Sequence, residues 1–223
     1  MAMRAVIFDF DGVLVDSEPS HYRALRDCLL AEGITITPDE YAQEYLAYDD
    51  RECIRVAFET HGQTYDAERI DAAARRKAQF FEQTSTGVPL FAGARELIAS
   101  LAEKVPLAIA SGALAGEIDR ILAAAGLREA FATVVGADNV TRCKPHPEPY
   151  LTAMRRLRTA LPDLAAAECL VFEDSVPGIA AGLAAGMKVV GVAHTYPPAK
   201  LQSAHLVVPA LKGLRAAAVE GLF

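Results

Sequence analysis

The sequence lacks several signals, and each absence removes a class of function. Cys28, Cys53, Cys143 and Cys169 contain no C-x-x-C pair and no zinc-type spacing, so neither a structural zinc site nor a disulfide framework is indicated. Reduced thiols in a cytoplasmic protein are the expectation. There is no basic surplus. The net charge is −7, and a nucleic-acid-binding face would normally appear as a positive stripe. Short runs such as Arg75-Arg76-Lys77 read as solvated helix faces. No charged n-region followed by an apolar h-region precedes the first strand, so no signal peptide is expected. The uncharged apolar stretch from Ser175 to Met187 is too short to cross a bilayer, and membrane partners are not expected either. Its Gly178, Gly182 and Gly186 read as a small-residue helix face packed against a sheet. G-x-S-x-G, G-x-x-x-x-G-K-[ST], H-E-x-x-H and G-x-G-x-x-G are all missing, which leaves serine hydrolase, P-loop, zincin and dinucleotide-binding readings without support.

What remains can build a sizeable core. The 223 residues are 52% hydrophobic and 23% charged, enough for one large domain or a domain with an insertion. Short apolar runs, most of them uninterrupted, recur at Ala5–Phe8, Pro106–Ala110, Thr133–Gly136, Cys169–Phe172, Lys188–Val192 and Leu206–Val208. Such runs suit strands buried on both faces. Helical patterns alternate with them at Ala94–Glu103, Glu117–Ala125, Pro147–Thr159 and Gly178–Ala185. The alternation predicts an α/β fold with a doubly wound parallel sheet.

Residues 17–87 break the pattern. They show helical periodicity and no strand. One helix starts near Pro19 and runs through His21 to Gly33, and Pro38 opens a second. Asp49 or Asp50 caps a third, and Asp66 a fourth. This block predicts a helical cap domain inserted into a core formed by residues 1–16 and 88–223, with Thr84-Ser85-Thr86-Gly87 as a hinge.

Polar residues stand where the strands end. Asp9-Phe10-Asp11-Gly12 follows the first strand and Ser111-Gly112 the second. Arg142-Cys143-Lys144-Pro145 comes after the third, and Glu173-Asp174-Ser175 closes the fourth. A parallel sheet brings these ends to one edge, where ligands gather in such folds. Buried carboxylates are costly together unless a cation neutralises them. Oxygen donors without histidine or thiolate favour Mg2+. A lysine and a hydroxyl beside them supply what a transferring phosphoryl group needs, and an aspartate can itself attack phosphorus.

In order along the chain, Asp9-Phe10-Asp11-Gly12-Val13, Ser111-Gly112, Lys144-Pro145 and Glu173-Asp174-Ser175 resemble the four motifs of the haloacid dehalogenase superfamily. The insertion after the first motif resembles that of the helical-cap subgroup, which includes β-phosphoglucomutase and many sugar-phosphate phosphatases. The resemblance covers essentially the whole chain and implies a Rossmann-like core. It makes Asp9 the nucleophile and Asp11 the general acid, then base. Mg2+ is held by Asp9, the Asp11 backbone carbonyl and Asp174. Ser111, Gly112 and Lys144 grip the phosphate, and Glu173 is a partner of Lys144 or of a metal-bound water rather than a direct ligand.

The implied activity is a Mg2+-dependent phosphatase acting on a small phosphorylated metabolite through an aspartyl phosphate. Asp11 favours phosphate esters, because dehalogenases and phosphonate-cleaving relatives lack an aspartate there. A sugar-phosphate mutase is the alternative. Gly112-Ala113-Leu114-Ala115-Gly116 argues against it, since this run has no side-chain donor for a second phosphate. A receiver-like phospho-acceptor module is a different class, disfavoured by the insertion. In the cap, His21, Arg51 and Lys77 are the candidate substrate contacts; His21 could equally be a packed helix residue, and Lys77 part of the solvated Arg75-Arg76-Lys77 face. The cap loop Leu46-Ala47-Tyr48-Asp49-Asp50-Arg51 departs from the family pattern, which often has glycine there. A monomer is expected, with a dimer as the alternative.

Overall fold

The computed structural model describes residues 2–45, 48–84 and 87–223. Six parallel strands form one sheet: β1 (Ala5–Phe8), β2 (Leu107–Ala110), β3 (Phe131–Val135), β4 (Cys169–Glu173), β5 (Lys188–Val192) and β6 (Leu206–Val208), in the order β3-β2-β1-β4-β5-β6. The order reverses at β1, which pairs with β2 through Phe8 opposite Ile109 and with β4 through Phe8 opposite Phe172. This is the switch point of an open α/β sheet, where a crevice forms beyond the strand ends. Every residue of β1, β2 and β4 is buried, as expected for strands covered on both faces.

The chain divides into two compact units: residues up to Asp16 with Pro89–Phe223, and Ser17–Val88. In the first unit the sheet is accompanied by α5 (Ala94–Ala102), α6 (Ala115–Ala124), α7 (Glu148–Leu157), α8 (Val176–Ala184) and α9 (Ala216–Glu220). The second unit is helical: α1 (Glu18–Leu30), the short α2 (Pro38–Glu40), a π-helical turn at Tyr41–Tyr45, α3 (Asp50–Thr60) and α4 (Ala67–Thr84). It has its own core, including Leu25, Leu29, Ile54, Phe58 and Ala73. Asp49 caps α3 by accepting from the Glu52 amide at 2.9 Å, and Asp66 caps α4 by accepting from Arg69 at 2.8 Å. Among the described residues, no helix is long and apolar enough to cross a membrane.

Several boundaries differ from expectation, three of them by two residues at the start of an element. β3 starts at Phe131 rather than Thr133, with Phe131 pairing to Leu107 across a register shift between Leu107 and Ala108. α6 starts at Ala115 rather than Glu117, since Asp138 accepts the Ala115 amide at 2.9 Å from across the fold. α8 starts at Val176, capped by the Ser175 hydroxyl, which accepts from Gly178 at 3.1 Å. Gly182 does sit against the sheet, beside Val189 and Val171, whereas Gly186 lies past the helix in a left-handed turn. Of the expected hinge, Ser85 and Thr86 lie outside the described residues, as do Leu46 and Ala47 of the cap loop.

Candidate active site

The site is built from the strand ends flanking the switch point. The Asp9 amide donates to the Phe172 carbonyl at 2.9 Å, extending the β1–β4 pairing by one residue. The chain then folds back on itself, with the Gly12 amide donating to Val15 and both Leu14 and Val15 donating to Phe10. This turn needs glycine at position 12 for two reasons. Its φ is +74°, and a Cβ there would lie 2.0 Å from Asp174 Oδ2, so any side chain would both strain the backbone and collide with the carboxylate. Ser111 directly follows β2. Its amide donates to Val135, and its buried hydroxyl accepts from Ala113 at 3.2 Å. Gly112 has open space around it.

Lys144 reaches into this edge from the loop before α7. Its ammonium lies 2.8 Å from Asp9 Oδ1 and 2.7 Å from Glu173 Oε1, over the Tyr150 ring at 4.9 Å. Glu173 is fully buried and its oxygens are engaged. Oε1 also accepts from the Tyr150 hydroxyl at 2.8 Å, and Oε2 accepts from the amide and hydroxyl of Ser175, each at 2.9 Å. Although burial favours its protonated form, these donors hold its pKa below the usual carboxylate value. The first turn of α8 presses on it so closely that a Cβ at Gly178 would lie 1.7 Å from Oε1.

Asp9 and Asp174 behave in the opposite way. Burial pushes Asp9 up to about 7 despite Lys144. Burial, Glu173 and Asp9 push Asp174 well above its ordinary value. Lys144 itself is desolvated, yet Asp9 and Glu173 raise its pKa. One ammonium is thus set against three buried carboxylates, whose oxygens approach within 4.8 Å of one another. Such an excess of negative charge calls for a second cation. A hard, oxygen-only donor set fits Mg2+. With Glu173 occupied by protein donors, Asp9 and Asp174 are the carboxylates suited to hold it.

The structure therefore brings Asp9, Lys144, Glu173 and Asp174 into one cluster, with Asp11, Gly12, Ser111 and Gly112 on the adjoining turns. In the helical unit it joins His21 to Lys77. The Lys77 ammonium lies 2.8 Å from His21 Nδ1 and 2.6 Å from Asp50 Oδ1, and His21 stacks on Phe81 at 4.2 Å. Lys77 is only 2% exposed, which overturns its assignment to the solvated Arg75-Arg76-Lys77 face. Burial, then Lys77, lower the His21 pKa to about 3, so the ring is neutral and accepts at Nδ1. These residues line a cavity of about 180 Å³ with Glu18, Tyr41 and Asp50. Arg51 is mostly exposed and pairs with Asp71 at 2.5 Å.

Sequence reading missed Tyr150, His194 and Thr195. The His194 ring lies 2.9 Å from the Gly12 carbonyl through Nδ1, and the Thr195 hydroxyl hydrogen-bonds to Asp174. Tyr150 offered one signal, since it falls in the first turns of the helix that follows Lys144. The other two offered none.

The profile of haloacid dehalogenase-like hydrolases matches residues 3–186. The chain belongs to this family. It is 28% identical over 197 residues to the phosphoglycolate phosphatase of Pectobacterium atrosepticum, covering 87% of this chain and 82% of that protein. It is 30% identical over 194 residues to the fructose-1-phosphate phosphatase YqaB of Escherichia coli K12, covering 84% and 95%. Among solved structures, CbbY from Rhodobacter sphaeroides in complex with phosphate superposes with a TM-score of 0.81 at 25% identity, covering 98% of this chain and 99% of that one. The protein is thus a hydrolase of the haloacid dehalogenase superfamily with a parallel α/β core.

Proposed function

We propose that this hydrolase is a Mg2+-dependent phosphatase of small phosphate monoesters, sugar phosphates or related metabolites, working through an aspartyl phosphate on Asp9. The observation that carries the reading is the Lys144 ammonium bridging the buried Asp9 and Glu173 at 2.8 and 2.7 Å. This arrangement sets a carboxylate in a dry pocket with a cation beside it that opposes the effect of burial on its charge, which suits both nucleophilic attack and phosphoryl binding. The relatives named phosphoglycolate phosphatase and fructose-1-phosphate phosphatase support the substrate class.

In this reading an Asp9 oxygen attacks phosphorus while Asp11 gives its proton to the departing ester oxygen. Asp11 then takes a proton from water as that water attacks the phosphoryl group, releasing inorganic phosphate and restoring Asp9. Lys144, the Ser111 hydroxyl and the Gly112 amide hold the phosphoryl oxygens. Asp9, the Asp11 carbonyl and Asp174 would hold Mg2+, which supplies charge neutralisation of the transferring group. Glu173 fixes Lys144. The helical unit serves as the cap, with His21, Arg51 and Lys77 reading the leaving group. Water is the acceptor rather than a second sugar phosphate, because residues 112–116 provide no side-chain donor for another phosphate.

The test is phosphate release from a panel of sugar and small-acid phosphates, with Mg2+ and with chelator. Release is expected only with metal and without a bisphosphate activator. Asp9→Asn should lower it by roughly 10³-fold or more with a melting temperature at neutral pH no lower than that of wild type. Full activity in chelator, or Asp9→Asn turnover within a few-fold of wild type, refutes the mechanism. Faster conversion of β-glucose 1-phosphate to glucose 6-phosphate than phosphate release would make the protein a mutase.

A further inference from the structure

The loop after β5 reaches across to the carboxylate cluster and closes around Gly12. His194 points Nδ1 at the Gly12 carbonyl from 2.9 Å. A carbonyl only accepts, so Nδ1 carries the proton and donates. The ring is held flat against Phe91, with centroids 3.8 Å apart. The next residue, Thr195, donates its hydroxyl to the Asp174 carboxylate. Both contacts converge where Gly12 lacks a side chain: a Cβ there would stand 2.0 Å from Asp174 Oδ2 and 2.8 Å from Thr195 Oγ1. Three loops, after β1, β4 and β5, therefore meet at one point.

We propose that Thr195 is a positioning residue for Asp174, with His194 as the strut that ties its loop to the turn after Asp9. The inference rests on the reading of Asp174 as a Mg2+ holder. An aspartate side chain has two soft torsions, and its carboxylate must be fixed before it can share a cation with Asp9. A hydroxyl donor fixes its orientation and disperses part of its charge without adding a competing cation. Glu173, by contrast, has four donors of its own. Asp174 receives such a bond from Thr195.

The test is calorimetric titration of Mg2+ into metal-free protein, together with steady-state kinetics. Thr195→Val keeps the shape and removes the donor, and Thr195→Ser restores the donor. Mg2+ affinity should fall about 10–100-fold in the valine variant and stay within about three-fold of wild type in the serine variant. The metal-free melting temperatures should be nearly equal, with the activity loss of the valine variant partly recovered at high Mg2+. Thr195→Ala carries the same comparison should valine destabilise the loop. Asp174→Ala separates the two levels of the argument. If it abolishes Mg2+ binding while Thr195→Val binds like wild type, Thr195 has no positioning role and the Asp174 reading stands. If Asp174→Ala itself binds Mg2+ like wild type, both fall. Equal weakening by valine and serine also overturns the role given to the hydroxyl.

Discussion

Each unit of the protein buries one lysine against carboxylate and aromatic neighbours, and the two lysines sit in different charge balances. Lys144 meets Asp9 and Glu173 and lies over Tyr150. Lys77 meets Asp50 and His21 and lies 5.2 Å from the Phe81 centroid. Around Lys144 the anions outnumber the cation and are almost wholly buried. Lys77 itself bonds one carboxylate, with 48% of its side chain exposed, and one neutral ring. The first arrangement stays short of positive charge and so can recruit both a metal and a reacting group. The second is already balanced and can offer shape and hydrogen bonds, but little net charge.

Removing each lysine breaks the comparison most directly. Lys144→Ala leaves Asp9 and Glu173 buried without their ammonium, a change that costs about 3–5 kcal/mol in comparable sites. Phosphate release should fall by roughly 10²-fold or more. Lys77→Ala leaves a half-exposed carboxylate and an unsatisfied ring nitrogen, and should cost about 1–3 kcal/mol. Denaturant unfolding of both variants at pH 7 measures the difference. Equal losses would mean that the charge balance does not distinguish the two sites.

Acidification should move the two units in opposite directions. His21 has a folded pKa of about 3, below its unfolded value. The stability it contributes is present above about pH 6.5 and is lost as pH falls toward 3, because only the unfolded chain takes up the proton there. Asp9 is raised to about 7. In metal-free protein its contribution is fully present below about pH 3.9 and is lost as pH rises through 7. Thermal melts of metal-free His21→Gln and Asp9→Asn between pH 4 and 8 separate the two. The glutamine variant should lose less stability in acid than wild type, and the asparagine variant should lose less on the rise to neutral pH. Parallel profiles for both variants and wild type would remove the assigned protonation states.

The smallest effect sharpens the division of labour. Lys77→Ala should raise KM for a phosphorylated metabolite by roughly ten-fold, about 1.4 kcal/mol, with a smaller change for p-nitrophenyl phosphate. Equal responses to the two substrates would leave Lys77 no part in reading the leaving group.

Much of this was legible in sequence because buried parallel strands are written as uninterrupted apolar runs. β1, β5 and β6 start and end where those runs do, and the polar residues just past the strand ends mark the site. What escaped depends on contacts between distant segments. The start of α6 is fixed by Asp138, and Thr195 gains its meaning only where three loops converge. Tyr150 looks like one more apolar residue on α7 until Glu173 is placed beside its hydroxyl. Lys77 was readable in retrospect. Ile70, Ala73, Lys77 and Phe81 recur at three- and four-residue spacing and are all buried, so the lysine lies on the inner stripe of α4 although two arginines precede it. Asp50 was obscured by Asp49, which does the capping and leaves Asp50 to meet Lys77.

The position of β1 at the switch point also governs when function can arise during synthesis. β1 emerges before the other five strands of this sheet, but its two partners end at Ala110 and Glu173. At about 5–20 residues per second, one edge of the central strand waits roughly ten to thirty seconds for β4. The contacts within Ser17–Val88 are closed far sooner, and such local contacts form readily. A nascent chain that stops before Cys169 carries Asp9 and Lys144, but it lacks the strand that flanks them and the carboxylates that complete the cluster.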